Sequence, residues 1–253
     1  LILSLLLFLS IVTIAFVAVL RDREVQIPKR FAGKILHEIN TVSSKYFIEA
    51  SDFYLSLDDD FLPEIKITNF DLFVPDKIPI VSFNSLTTKF SLSDLFFGKF
   101  RVSSITLDSA NLFIMRKNDG SINLGLGAEN TSEADYFDTV GILKQLDEIF
   151  TSYEMERFKE LNLFGLRAQI EDQRTDKRYT IDGARLRLDR EDQVMIMSFD
   201  LALLSGGQSA STVEGNFKRN IGQLDGEFGL LFNNFSAQDI ANLSPEFGWL
   251  SVL

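Results

Sequence analysis

The chain has 253 residues, enough for one large domain or two small ones with a sizeable core. Its 25 Lys and Arg against 36 Asp and Glu give a net charge of -11, which opposes a nucleic-acid partner, because such binding rests on cations that neutralise phosphates. With no cysteine and a single histidine, His37, the chain lacks disulfide scaffolds, thiolate metal sites, cysteine nucleophiles and histidine triads, whereas Phe reaches 24 copies.

Residues Leu1–Leu20 form an uncharged apolar run, polar only at Ser4, Ser10 and Thr13. At about 1.5 Å per residue, a helix of this length matches the roughly 30 Å hydrocarbon layer, and it exceeds the apolar core of a signal peptide. Residues 1–20 are therefore expected to be a transmembrane anchor. By the positive-inside rule alone, the following Arg21, Arg23, Lys29, Arg30 and Lys34 would face the cytoplasm. The missing initiating Met and the apolar ending Trp249–Leu253 fit a piece of a longer protein. In the juxtamembrane segment 21–44, Pro28 followed by Phe31, Ile35, Ile39 and Val42 predicts an amphipathic helix over residues 28–43.

From Tyr46 the hydrophobic period changes to two, which marks residues 45–126 as a first run of strands. Leu55 and Leu57, then Ile65 and Ile67, then Phe70, Leu72 and Val74 alternate with polar residues, and the phase slips once near Asn69, as at a bulge. Val81 with Phe83, Leu86 with Phe90, Ile105 with Leu107, and Leu112 with Ile114 continue the alternation, and Asn118-Asp119-Gly120 marks a tight turn. A polar stretch from Gly127 to Asp138 reads as a linker. Within the segment 127–160, Ile142, Leu143, Leu146, Ile149, Phe150 and Tyr153 share one helical face, which must cover something. Alternation resumes over 161–253 with Leu166, Ala168 and Ile170, then Ala184, Leu186 and Leu188, then Met195 through Leu203, Val213 with Phe217, and Phe228 with Leu230. Short turns without crossover helices between most strands predict a mainly β, mostly antiparallel sheet with one apolar face, plus two amphipathic helices.

The sites that could carry chemistry are weak. Asp58-Asp59-Asp60 lacks calcium-loop spacing and reads as an exposed turn. His37 and Glu38 are adjacent and so point about 100° apart on a helix, with no further ligand spaced to join them. Gly125-Leu-Gly127 lacks the third glycine of a nucleotide loop. No metal site, cofactor or catalytic residue is expected, and the chain does not read as an enzyme. The Phe, Leu, Ile and Met set on one face of many strands has two readings, a closed β core or an open apolar trough that shelters acyl chains, a lining to which Phe and Met are suited.

The segment from Ser91 to Leu124 resembles the AsmA-like family, which includes the YhdP- and TamB-type proteins. The family pattern runs through a bulky pair, Gly, a basic residue, strand, small residue, strand, Arg, Asp-Gly and Asn-Leu, and Gly98, Arg116, Asp119, Gly120, Asn123 and Leu124 stand in those places. The resemblance covers residues 1–126, including Leu62-Pro63, and is weaker over 139–253. It implies a single-pass protein of a bacterial inner membrane with its bulk in the periplasm. It further implies an elongated sheet folded into a taco-like groove that carries phospholipids between inner and outer membrane, with outer-membrane or other envelope proteins as further partners. On that reading Phe70, Leu72, Phe83, Phe90, Ile114, Met197, Phe199, Leu201, Phe228 and Leu230 line the groove, and Leu143, Leu146, Phe150 and Tyr153 cap it. The rivals are an envelope scaffold or outer-membrane protein assembly factor with a closed core, and an enzyme whose site lies outside this sequence.

Overall fold

A computed structural model of the chain describes residues 20–21, 23–42, 47–74, 78–91, 93–94, 97, 99, 101–119, 122–125, 147–148, 150–153, 155–174, 176–204, 210–223 and 225–235. Among these residues, helix α1 (Lys29–Val42) accompanies strands β1 (Val25–Gln26), β2 (Phe47–Glu49), β3 (Asp52–Leu57), β4 (Pro63–Val74), β5 (Ile78–Phe90), β6 (Val102–Asp108), β7 (Asn111–Arg116), β8 (Ile122–Gly125), β9 (Glu160–Asp172), β10 (Lys177–Glu191), β11 (Val194–Leu204), β12 (Ser211–Asn220) and β13 (Glu227–Asn233). All belong to one 13-stranded sheet, ordered β1-β3-β4-β5-β6-β9-β10-β11-β12-β13, with β2 beside β4 and β7 beside β9. The chain is mainly β and its sheet mostly antiparallel, as the alternation and the short turns predict. No helix among the described residues is long and apolar enough to cross a membrane, and the expected anchor up to residue 19 lies outside them.

The helix begins directly after Pro28, whose carbonyl accepts from the amides of Phe31 and Ala32 at 2.8 and 3.1 Å. Its buried face differs from the predicted stripe. Ala32, Ile35 and Leu36 pack on Phe53, Ile67 and Phe70, while Phe31 is 57% exposed. The reason is steric: the small Ala32 lets the helix lie close over the fully buried Phe53, and Phe31, a turn of about 100° away, is carried off that face. The side chain of Asn40 then pairs with the backbone of Ile48 in both directions, at 2.7 and 2.9 Å, and so fastens the helix to β2.

The phase slip near Asn69 has a definite form. Asn69 takes a left-handed φ of 46°, a conformation that Asn tolerates better than other side chains, and Ile67 and Phe70 therefore share one core although they lie three apart. The pairing of β4 with β5 does not slip there; the register shift lies farther on, between Leu72 and Phe73. Ser109 (φ 56°), between β6 and β7, and Gly165 (φ 66°) in β9 repeat the device and abut one another, since a Cβ on Gly165 would lie 3.5 Å from the Ser109 hydroxyl. Gly183 (φ 72°) repeats it in β10, at a register shift. These residues re-phase the alternation strand after strand, so the apolar side chains on both sides of them return to the same face.

The sequence pattern does not anticipate how the two strand runs join. β6 pairs in parallel with β9 from Ser104–Glu160 to Asp108–Phe164, and β7 continues the same ladder from Asn111–Arg167 to Arg116–Asp172. Parallel strands need a long crossover, and the chain between β8 and β9 supplies it. The linker and predicted helix thus lie within one sheet's connection instead of dividing two sheets.

Candidate functional site

Residues directly opposite each other on neighbouring strands project to the same face, so the register defines rows across the sheet. One row reads Leu86, Leu107, Leu163, Leu186, Phe199, Gly215 and Leu230, from β5 to β13. The next reads Thr88, Ile105, Leu161, Leu188, Met197, Phe217 and Phe228. The opposite face of the same strands is charged and exposed, with Arg185 on Asp200 at 3.0 Å, Arg167 on Asp182 at 3.0 Å and Arg187 on Asp189 at 2.7 Å. Such exposed pairs contribute little stability but keep that face wet.

Two buried clusters flank the Leu86–Leu230 row. On one side Phe150 stacks on Phe158 at 5.3 Å, and both pack with Leu188 and Met195. On the other side Ala168, Ile181, Ala184 and Leu203 gather Leu112, Ile114, Ile170, Leu201 and Phe235. Among the described residues, Leu107, Leu163, Leu186 and Phe199 belong to neither cluster and stay half-buried. At β13 both rows are exposed, Leu230 at 38% and Phe228 of the next row at 69%. Gly215 has a specific role here: a Cβ on it would lie 2.3 Å from the Phe199 ring, so the missing side chain is what lets that ring lie across β12.

The expected lining residues fall into three environments. Phe70 is buried and meets Phe83 at 5.7 Å in the α1-covered core, with Leu72 half-buried opposite Val81. Phe90 stands opposite Val102, and Ile114 opposite Ile170 in the cluster beside the open row. Met197, Phe199, Leu201, Phe228 and Leu230 lie together on β11 and β13, facing one side of the sheet.

Of the expected cap, residues 147, 148, 150 and 151 are helical and Phe150 is buried, while Leu143 and Leu146 lie outside the described residues. Tyr153 departs from the expectation. It sits past the helical residues in a bend, 51% exposed, with the Arg101 guanidinium 4.2 Å from its ring centroid. The turns Ser152–Met155 and Met155–Phe158 redirect the chain there, and Phe158 takes the inward place that the helical period assigned to Tyr153.

Arginines hold this cap on the apolar face. Arg190 and Arg219 stand opposite Met195 on either side, in one row. Arg219 has no exposed side-chain surface and grips both carboxylate oxygens of Asp147, at 2.6 and 3.1 Å. Arg190 donates to the carbonyls of Phe150 and Met155, at 2.7 and 3.0 Å. The pattern held a signal for both: Arg190 continues the apolar phase of Ala184, Leu186 and Leu188, and Arg219 that of Val213 and Phe217. A cation in the apolar phase at a strand end calls for a partner.

Asp58 closes the β3–β4 turn, accepting from the amides of Asp60 and Leu62 and from the Lys89 ammonium at 2.8 Å. No group of three or more metal-ligating side chains occurs among the described residues. No protein-family model matches the chain, and no curated protein matches it.

Proposed function

We propose that the chain is a membrane-anchored lipid-transport protein of the bacterial envelope, of the AsmA-like kind, whose apolar sheet face shelters phospholipid acyl chains between inner and outer membrane. The observation that carries this reading is the half-buried run Leu107, Leu163, Leu186 and Phe199, which crosses the sheet between two closed clusters. Exposing an acyl chain to water costs about 0.8 kcal/mol per methylene, so a continuous apolar row lowers the barrier to movement, while the headgroup stays hydrated. Strands spaced about 4.8 Å apart lengthen such a path without changing its cross-section. The reading needs no catalytic residue or cofactor, places the bulk of the chain in the periplasm, and leaves outer-membrane or other envelope proteins as recipients. The outer face of α1, with Arg30, Lys34 and His37 exposed, suits anionic headgroups beside the anchor.

A second reading, an envelope scaffold or assembly factor with a closed core, is favoured by one observation: Phe70 at the β3–β5 end is buried beneath α1. The test places a photo-crosslinking phenylalanine analogue at Phe199 or at Asp200, which lies on the charged face beside Arg185. Phospholipid adducts at position 199 and none at 200 are expected in living cells. Intramolecular adducts alone at 199 would favour the scaffold.

A further inference from the structure

A guanidinium with no exposed surface is costly in an apolar row, and the best-attested use of a buried ion pair is a switch or a register device. Arg219 is such a group, and it stands opposite Met195 in the closed cluster of Phe150 and Phe158, beside the half-buried row. Its partner is a carboxylate held by two guanidinium nitrogens, the fork geometry by which arginine also grips a phosphate. Arg190, across Met195, holds carbonyl oxygens of the same segment, and Phe150 and Phe158 fill the apolar space beside them. Anionic group, polar oxygens and apolar bulk thus follow one another on the cap as they do on a phospholipid.

We infer that Arg219 and Arg190 form a binding site for the phosphate of a lipid headgroup, and that the Asp147 carboxylate with the carbonyls of Phe150 and Met155 occupies it as an internal substitute until lipid displaces them. The inference rests on the groove reading and adds to it an entry point with a charge requirement. Asp147 competes with lipid for one fork, so a ligand must bring both a phosphate and an alkyl chain to replace what the segment supplies.

The test uses the full chain in neutral detergent. Because the sequence contains no cysteine, Glu148→Cys on the exposed side of the cap takes a single environment-sensitive fluorophore. Dodecyl phosphate is expected to shift its emission at concentrations about tenfold or more below those of dodecanol, the advantage of a charge-assisted contact, while inorganic phosphate gives no shift. Asp147→Asn, which removes the competitor, is expected to increase sensitivity to dodecyl phosphate. Arg219→Met combined with Asp147→Asn, which leaves no unpaired charge, is expected to erase the preference over dodecanol. Equal action of dodecanol and dodecyl phosphate on the unsubstituted cap, or no gain from Asp147→Asn, would overturn the site. A shift with inorganic phosphate alone would overturn its assignment to a lipid. Failure of the groove reading shows separately, as the absence of any alkyl-chain adduct at position 199 in every variant.

Discussion

Gly215→Ala separates an open apolar row from a closed one. The added Cβ would lie 2.3 Å from Cε1 and Cζ of Phe199 and 3.0 Å from Cδ2 of Leu230. Carbon atoms in contact settle near 3.5–4.0 Å, so the ring must retreat by more than about 1 Å. No left-handed conformation at Gly215 adds backbone strain, because the positive-φ glycines are Gly165, Gly183 and Gly222. If the space above the row is open, Phe199 rotates away from the sheet. Replacing a strand glycine by alanine itself returns about 0.5–1 kcal/mol, so the net change should fall within about 1 kcal/mol of zero. If the row is sealed, the ring has nowhere to go and overpacking costs about 1–3 kcal/mol. Urea unfolding followed by circular dichroism reads the difference: at a slope near 3 kcal/mol per molar, a loss of about 2 kcal/mol moves the midpoint by roughly 0.7 M. An open row predicts a shift under about 0.3 M and little coupling to Phe199→Ala in a double-mutant cycle. A midpoint loss well above that, relieved by Phe199→Ala, would refute the open row and with it the path proposed for acyl chains.

Phe53→Ala empties the centre of the α1-covered core and is expected to cost about 3–5 kcal/mol, read as a fall in the same urea midpoint; a change under about 1 kcal/mol would show that α1 does not seal that end. Asn69→Val places a β-branched residue at a left-handed φ and should cost about 1–2 kcal/mol, whereas Asn69→Gly should be tolerated, and equal losses would refute a conformational role. Burial alone raises the Asp58 carboxyl, but the Lys89 ammonium and the Leu62 and Asp60 amides outweigh it and hold it below its ordinary 3.8. A carboxylate held low in the folded state stabilises above its unfolded pKa and loses that contribution as pH falls through the folded value. Asp58→Asn should therefore flatten the acid limb of the stability–pH curve below about pH 4, and an unchanged limb would refute the pairing.

The strands were legible because each carries its own period. Alternation from Leu55 to Ile114 and from Leu166 to Leu230 depends only on which face is buried, and the left-handed Asn69 betrayed itself as a slip in that alternation. The parallel join of β6 and β7 to β9 was not legible, because period two is the same in parallel and antiparallel ladders, and only the length of the crossover distinguishes them. The buried face of α1 was misjudged for a related reason: a stripe chosen by bulk favours Phe31, while close helix-on-sheet packing favours the small Ala32.

The candidate site was readable in its middle and unreadable at its end. Leu107, Leu186, Phe199 and Leu230 follow from alternation, and the register then aligns them into a row. The end under the cap depends on residues that a hydrophobicity pattern discards. Arg190 and Arg219 are in phase with the leucines and phenylalanines but carry charge, so they read as the points where the apolar pattern stops. Arg219 is buried and Arg190 half-buried, and both take partners from distant sequence, Asp147 and the carbonyls of Phe150 and Met155, which the crossover brings over the sheet. The row Arg190, Met195 and Arg219 closes the face under the Phe150–Phe158 segment, whereas the neighbouring row that ends in Phe228 is 69% exposed there, so burial differs from row to row along the same strands.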